Sequence, residues 1–189
     1  MLKGKVAQKI VIGVTGMPGA GKDAVREVFR ELGYPIVTMG DEVRAEAERK
    51  GLPPTPENLG ETMLRLRAEE GPTVLAKRCI LKIEAQNSRT VVVDGIRSPD
   101  EVAEFRKSYP SMKVIAVHAS PETRFKRLVR RSRSDDPDDR ATFDDRDRRE
   151  LGVGLGNVIA SADVMVVNEG NKEAFKQRLR KILSRELSL

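Results

Sequence analysis

The sequence predicts an α/β fold of the doubly wound kind, a five-stranded parallel sheet with helices on both faces. Three observations carry that expectation. Short β-branched segments recur five times along the chain, several of them apolar at consecutive positions, as strands covered on both faces are. The intervals between them open with helix-start signals. A glycine-rich loop directly follows the first segment, at a strand-to-helix turn where sheets of this kind place their ligands.

The first strand is Ile10-Val11-Ile12-Gly13-Val14. It is too short for the apolar core of a signal peptide and runs straight into glycines without a small-residue cleavage site, so a cytosolic protein is expected. Pro35-Ile36-Val37-Thr38 is the second strand and Thr90-Val91-Val92-Val93 the third. Between them, residues of about 40–88 read as helical, with Thr55-Pro56-Glu57 as a start and Gly71-Pro72 as a break. Ser98-Pro99-Asp100-Glu101 supplies an N-cap, a proline at the first helical position and an acid at the third. The fourth strand, Lys113-Val114-Ile115-Ala116-Val117, is followed by a similar opening at Ser120-Pro121-Glu122. The fifth is Asp163-Val164-Met165-Val166-Val167, and the helix after Asn171 puts Phe175, Leu179, Ile182 and Leu183 on one stripe. No repeat or low-complexity tract divides residues 1–189, which read as one domain.

Composition narrows the function classes. The 35 Lys and Arg against 29 Asp and Glu give a net charge of +6, and 39% hydrophobic residues in 189 suffice for a sizeable core. Aliphatic runs such as Val91-Val92-Val93 are far short of the ~20 residues that cross a bilayer. Cys79 is the single cysteine, which excludes an internal disulfide and a cysteine-based metal cluster. From Arg131 to Glu150 six arginines face eight acids, so the densest charged stretch is no polybasic arm, and the scattered aromatics form no stacking platform for single strands. Nucleic acid is therefore disfavoured as the main ligand.

The loop Gly16-Met17-Pro18-Gly19-Ala20-Gly21-Lys22-Asp23 has the spacing G-x-x-x-x-G-K of a P-loop NTPase. Its glycines let backbone N–H groups converge on a phosphate, the following helix adds partial positive charge, and Lys22 reaches the β and γ phosphates. After the lysine a Ser or Thr hydroxyl usually binds Mg²⁺; here the position holds Asp23. Either this carboxylate binds the metal in its own way or it weakens triphosphate binding. Asp94, delivered to the end of the third strand, stands where P-loop proteins hold Mg²⁺, and no Glu follows it to polarise an attacking water. That favours transfer to a bound acceptor over hydrolysis.

Two arginines follow carboxyl ends of strands: Arg44, in Gly40-Asp41-Glu42-Val43-Arg44, and Arg97, in Asp94-Gly95-Ile96-Arg97. Converging guanidinium forks make a monophosphate site, with Asp41 beside them. In the stretch of about 124–150, Arg124, Arg127 and Arg131 share one helix face while Phe125, Leu128 and Val129 turn elsewhere. This Arg/Asp-rich segment, short of apolar residues, reads as a mobile lid held by ion pairs that brings arginines onto the phosphoryl group and expels water. His118, the only histidine, ends the fourth strand and reads as a structural or loop residue rather than a catalytic one.

Together the P-loop, Gly40 to Arg44, Asp94 to Ser98, Val117-His118, Arg133-Ser134-Asp135-Asp136, Arg146 to Gly152, and Ala162-Asp163 with Asn168 resemble the adenylate kinase branch of nucleoside monophosphate kinases. They are closer still to archaeal adenylate-kinase-related proteins, which also resemble dephospho-CoA kinase. The resemblance spans about Lys9 to the C-terminus. It implies that Lys22 and the amides of Gly16 to Gly21 hold ATP; the Mg²⁺ ligands expected from the residues themselves are Asp23 and Asp94, Asp23 being a departure from the family's hydroxyl residue. It also implies that Arg44 and Arg97 hold an acceptor phosphate, that Arg133 and Arg146 stabilise the phosphoryl in flight, and that Asn168 and Gly170 lie near the donor base. The expected function is a phosphotransferase acting on a small nucleotide-like acceptor, such as a nucleoside monophosphate or a dephospho-CoA-like molecule. The rival is a nucleotide-binding regulator of the same fold, for which Asp23 is the best argument.

Overall fold

All five predicted strands form, and they pair in parallel. The computed structural model describes residues 9–133 and 136–186, so Ser134 and Asp135 of the lid motif lie outside the described residues. β1 (Ile10–Thr15), β2 (Ile36–Thr38), β3 (Thr90–Asp94), β4 (Lys113–His118) and β5 (Val164–Val167) stand in the order β2-β3-β1-β4-β5. The register sets Asp94 level with Val14 on one side and Thr38 on the other. Asp94 therefore sits on the carboxyl edge between β2 and the central strand β1.

Consecutive apolar positions have a direct use. Val11, Val91, Val93 and Val114 enter one core, and Ile12, Val14, Val92, Ile115 and Val117 enter the other. α1 (Lys22–Glu31) and α9 (Lys172–Glu186) cover the second face through Val25, Val28, Phe29, Phe175, Leu179 and Leu183. The first face is covered by α2 (Met39–Arg49), α3 (Pro56–Glu70), α4 (Val74–Glu84), α5 (Pro99–Ser108) and α8 (Leu155–Ala160). Each apolar side chain withdrawn from water contributes on the order of 1.5–3 kcal/mol, so a strand facing two helical layers gains at every position. Among the described residues no helix is long and apolar enough to cross a membrane.

The predicted starts hold. Thr55 Oγ1 accepts from the Asn58 amide at 3.2 Å, Ser120 Oγ from the Thr123 amide at 3.4 Å, and Ser98 and Glu101 form a complete capping box. The lid segment differs from its expectation. α6 (Pro121–Arg131) and α7 (Arg140–Val153) do have an apolar contact between them: Phe143 is buried and meets Phe125 edge-on, with ring centroids 5.4 Å apart. Arg124 and Leu128 share the buried side of α6, because positions i and i+4 lie one turn apart, so Arg124 is not part of an arginine face turned to the ligand. It donates to Asp147 with both terminal nitrogens, at 2.8 and 2.5 Å, and to the Pro18 carbonyl at 3.2 Å, tying α7 to the P-loop.

Candidate functional site

Where β1 ends, the chain must turn sharply to start α1, and glycine makes the turn possible. Gly19 and Gly21 have φ of +80° and +105°, where a Cβ is strained. A Cβ on Gly19 would also meet the Arg124 carbonyl, and one on Gly21 would collide with Asn168 Nδ2. Asn168 donates from that nitrogen to the Ala20 carbonyl at 2.9 Å, so the chain after β5 braces the loop from behind. His118, exposed as the last residue of β4, accepts the Asn168 amide on its backbone carbonyl at 2.7 Å.

Lys22 curls back to donate to the carbonyls of Gly16 at 2.5 Å and Met17 at 3.3 Å. Burial of the ammonium lowers its pKa to about 8, with Asp94 pulling the other way. Beyond it opens a cavity of about 690 Å³, running from Pro18, Gly19, Gly21 and Lys22 past Asp94 to Arg44 and Arg97. Eight arginines (Arg26, Arg44, Arg97, Arg127, Arg130, Arg131, Arg133 and Arg146) and two lysines line it, against Asp23 and Asp94. Such a surplus of cations selects an anion of high charge.

Most of the residues singled out by sequence meet in this cavity: Lys22, Asp23, Asp94, Arg44, Arg97, Arg133, Arg146, Asn168 and Gly170 all line it. Gly16, Met17 and Ala20 form the turn behind, offering carbonyls to Lys22 and Asn168. Asp41 does not line it; this exposed carboxylate pairs with Arg44 at 2.5 Å, three residues along α2. Arg97 is held more firmly. Its amide donates to Glu101 Oε2 at 2.8 Å, its Nη1 meets Met63 Sδ at 3.0 Å, and its Nε stands 3.3 Å from Glu150 Oε2. Glu101, legible in the sequence only as a capping acid, also pairs with Arg67 at 2.5 Å and so fixes the Arg97 loop to α3.

Arg26 escaped the sequence reading, although its spacing of three from Asp23 on one helix was the signal that could have found it. It joins the two acids: Nη2 pairs with Asp23, and Nη1 with Asp94 Oδ2 at 2.9 Å. Asp23 further meets Arg131 at 3.4 Å and Arg133 at 3.3 Å. Asp94 Oδ1, buried, has no hydrogen-bond partner among the described residues. No group of three or more His, Cys, Asp or Glu side chains there could hold a metal alone. The donor set thus fits a hard cation that takes one or two carboxylate oxygens and completes its shell from phosphate and water, as Mg²⁺ does.

Comparison with known proteins agrees with this geometry. The family described as "AAA domain" matches residues 15–143. A UPF0200 protein of Hyperthermus butylicus is 49% identical over 179 residues, covering 95% of this chain and 96% of the relative, and one of Methanothermobacter thermautotrophicus is 46% identical over 92% and 90%. Among solved structures, shikimate kinase from Bacteroides thetaiotaomicron superposes with a TM-score of 0.59 at 21% identity, over 93% of this chain and 98% of that one, a likeness of fold alone. The glycine turn, its lysine and the parallel sheet behind them are those of a P-loop kinase-like protein, and the chain belongs to the archaeal UPF0200 family.

Proposed function

We propose that the protein is a phosphotransferase moving the γ-phosphoryl group of ATP to a small nucleotide-like acceptor, either a nucleoside monophosphate such as AMP or a dephospho-CoA-like molecule. One observation carries the reading: a single cavity has the P-loop at one end, Arg44 and Arg97 at the other, and ten cationic side chains along its wall. A protein that only bound a nucleotide would have no use for the second end. In this reading the Gly16 to Gly21 amides and Lys22 hold the triphosphate, and Asn168 and Gly170 border the base. Arg44 and Arg97 grip the acceptor, while Arg133 and Arg146 move onto the transferring group, whose charge they stabilise in a loose, in-line transition state. Mg²⁺ held near Asp23 and Asp94 would neutralise the β and γ phosphate oxygens. Positioning supplies the catalysis, with no covalent intermediate.

The rival reading, a nucleotide-binding regulator, draws on the clasp of Asp23 by Arg26, Arg131 and Arg133, which occupies guanidinium groups a nucleotide would otherwise meet. The two separate by titrating AMP and dephospho-CoA into protein whose P-loop is filled by a nonhydrolysable ATP analogue. Binding at a second site, with label passing from γ-labelled ATP to the acceptor, supports the kinase. Absence of any second phosphorylated ligand overturns it in favour of the regulator.

A further inference from the structure

Beside the main cavity, and sharing Gly40, Arg44, Arg97 and Arg146 with it, lies a smaller one of about 60 Å³ between α2, α3 and α7. That is the room of about two water molecules. Four arginines line it, Arg44, Arg97, Arg146 and Arg149, with one carboxylate, Glu150. Glu150 is 4% exposed, and its buried Oε2 accepts no hydrogen bond; the approach of Arg97 Nε at 3.3 Å neutralises its charge without satisfying it. A buried carboxylate oxygen left unbonded is unfavourable, so its presence calls for a donor that none of the described residues provides. Asp94, the other buried acid of the site, also keeps one oxygen, Oδ1, without a partner, but it lines the main cavity beside Lys22 and not this smaller one.

We infer that Glu150 receives the hydroxyl group of the acceptor, and that the phosphoryl group passes to a hydroxyl oxygen rather than to a phosphate oxygen. The inference rests on the phosphotransfer reading and narrows it. An acceptor phosphate is largely a dianion at neutral pH, with no proton to donate to the unbonded oxygen of Glu150. A hydroxyl needs both a hydrogen-bond acceptor to aim it and a place for its proton. In the step, the hydroxyl oxygen forms a bond to the γ phosphorus, the bond from that phosphorus to the β–γ bridging oxygen breaks with its electron pair leaving on ADP, and the hydroxyl proton passes to Glu150. The surrounding arginines then hold an anionic group elsewhere on the same molecule. The substrate class is a small anion bearing a free hydroxyl, and of the two candidate acceptors the dephospho-CoA-like one fits.

Water is the smallest hydroxyl acceptor and fits the small cavity, so the test does not depend on the true substrate. Phosphate release from γ-labelled ATP with Mg²⁺ is measured for the whole chain, E150Q and E150D, first in water and then with AMP or dephospho-CoA. ATP-analogue affinity and unfolding temperature show that the variants are folded. The expected result is a fall of tenfold or more in phosphate release for E150Q at saturating ATP with unchanged ATP affinity, partial recovery in E150D, and label entering dephospho-CoA as a monoester. Equal release by E150Q and wild type overturns the inference, as does a wild type that binds ATP without releasing or transferring phosphate. Transfer to the AMP phosphate at equal rates in E150Q and wild type overturns it while sparing the phosphotransfer reading. Absence of ATP binding overturns that reading itself.

Discussion

Arg26 Nη1 lies 2.9 Å from Asp94 Oδ2 while the same guanidinium holds Asp23, so one cation from α1 spans the two acids that face the phosphate loop. Each carboxylate alone would repel a triphosphate by an amount that grows as water is excluded. The bridge offsets that repulsion and takes up Asp94 Oδ2, leaving Oδ1 without a partner among the described residues.

Substitutions at the bridge should shift magnesium dependence in opposite directions. In R26M, Asp94 loses its ion-pair partner and Asp23 keeps only Arg131 and Arg133. In D23S Arg26 keeps Asp94 and Arg131 keeps Asp136, but the carboxylate that repels phosphate is gone and Arg133 loses its pair with it. Calorimetric titration with a nonhydrolysable ATP analogue, in Mg²⁺ and in EDTA, should give R26M a ratio of the two affinities about tenfold larger than wild type and D23S a smaller one. Equal ratios in all three proteins would remove the bridge from any part in nucleotide binding.

Arg44 and Arg97 differ in what else they hold. Among the described residues Arg44 pairs at the surface with Asp41, whereas Arg97 meets Met63 and the buried Glu150. Both R44A and R97A should weaken acceptor binding by about tenfold to a hundredfold, at roughly 1.5–3 kcal/mol per charge-assisted contact, without changing ATP affinity. Only R97A should also lower the unfolding temperature. Acceptor titration and thermal melts of both variants check this, and a stable R97A with full acceptor affinity contradicts it.

A contrast within the lid separates structure from turnover. Arg124, bidentate to Asp147 and bonded to Pro18, is buried; R124A should destabilise the protein by about 3–5 kcal/mol, the usual result of breaking a buried pair. Arg133 is half exposed, and its pair with Asp23 spans 3.3 Å. R133A should leave denaturant stability within about 0.5 kcal/mol and lower transfer by ~10³ if it acts as a transition-state arginine. Chemical denaturation and single-turnover rates decide between them.

Lys22 gives the site a proton signature. Burial lowers its pKa from 10.5 to about 8, so the free folded protein holds fewer protons than the unfolded chain between those values. The cost of keeping this ammonium desolvated is thus fully present below pH 8 and is relieved as pH rises toward 10.5. A bound triphosphate supplies the missing countercharge and raises the pKa again, so binding near pH 9 should take up a proton. Calorimetry in buffers of different ionisation enthalpy measures the uptake, which K22M should abolish. Identical proton uptake in K22M would assign it to another group.

What could be read before folding depended on how local the signal was. The helix starts at Thr55, Ser98 and Ser120 were legible because a cap is made within three or four residues. The glycine turn was legible for the same reason. Arg124 was misplaced because helical spacing tells which residues share a face but not which face is covered, and Asp147 stands 23 residues away. Asp41 was assigned to the acceptor end from its position after a strand, yet it belongs to the solvent side of α2, where its partner is Arg44.

The sequence by itself determined the two-faced parallel sheet and the P-loop at its edge, since consecutive apolar residues demand cover on both sides and glycines permit left-handed turns. Tertiary structure alone decided how the charges are spent. Asp23 meets Arg133 across 110 residues and Glu150 reaches Arg97 from another helix. Guanidinium and carboxylate groups attract without regard to chain spacing, so only the folded positions of the helices select, from many possible pairs, the ones that form.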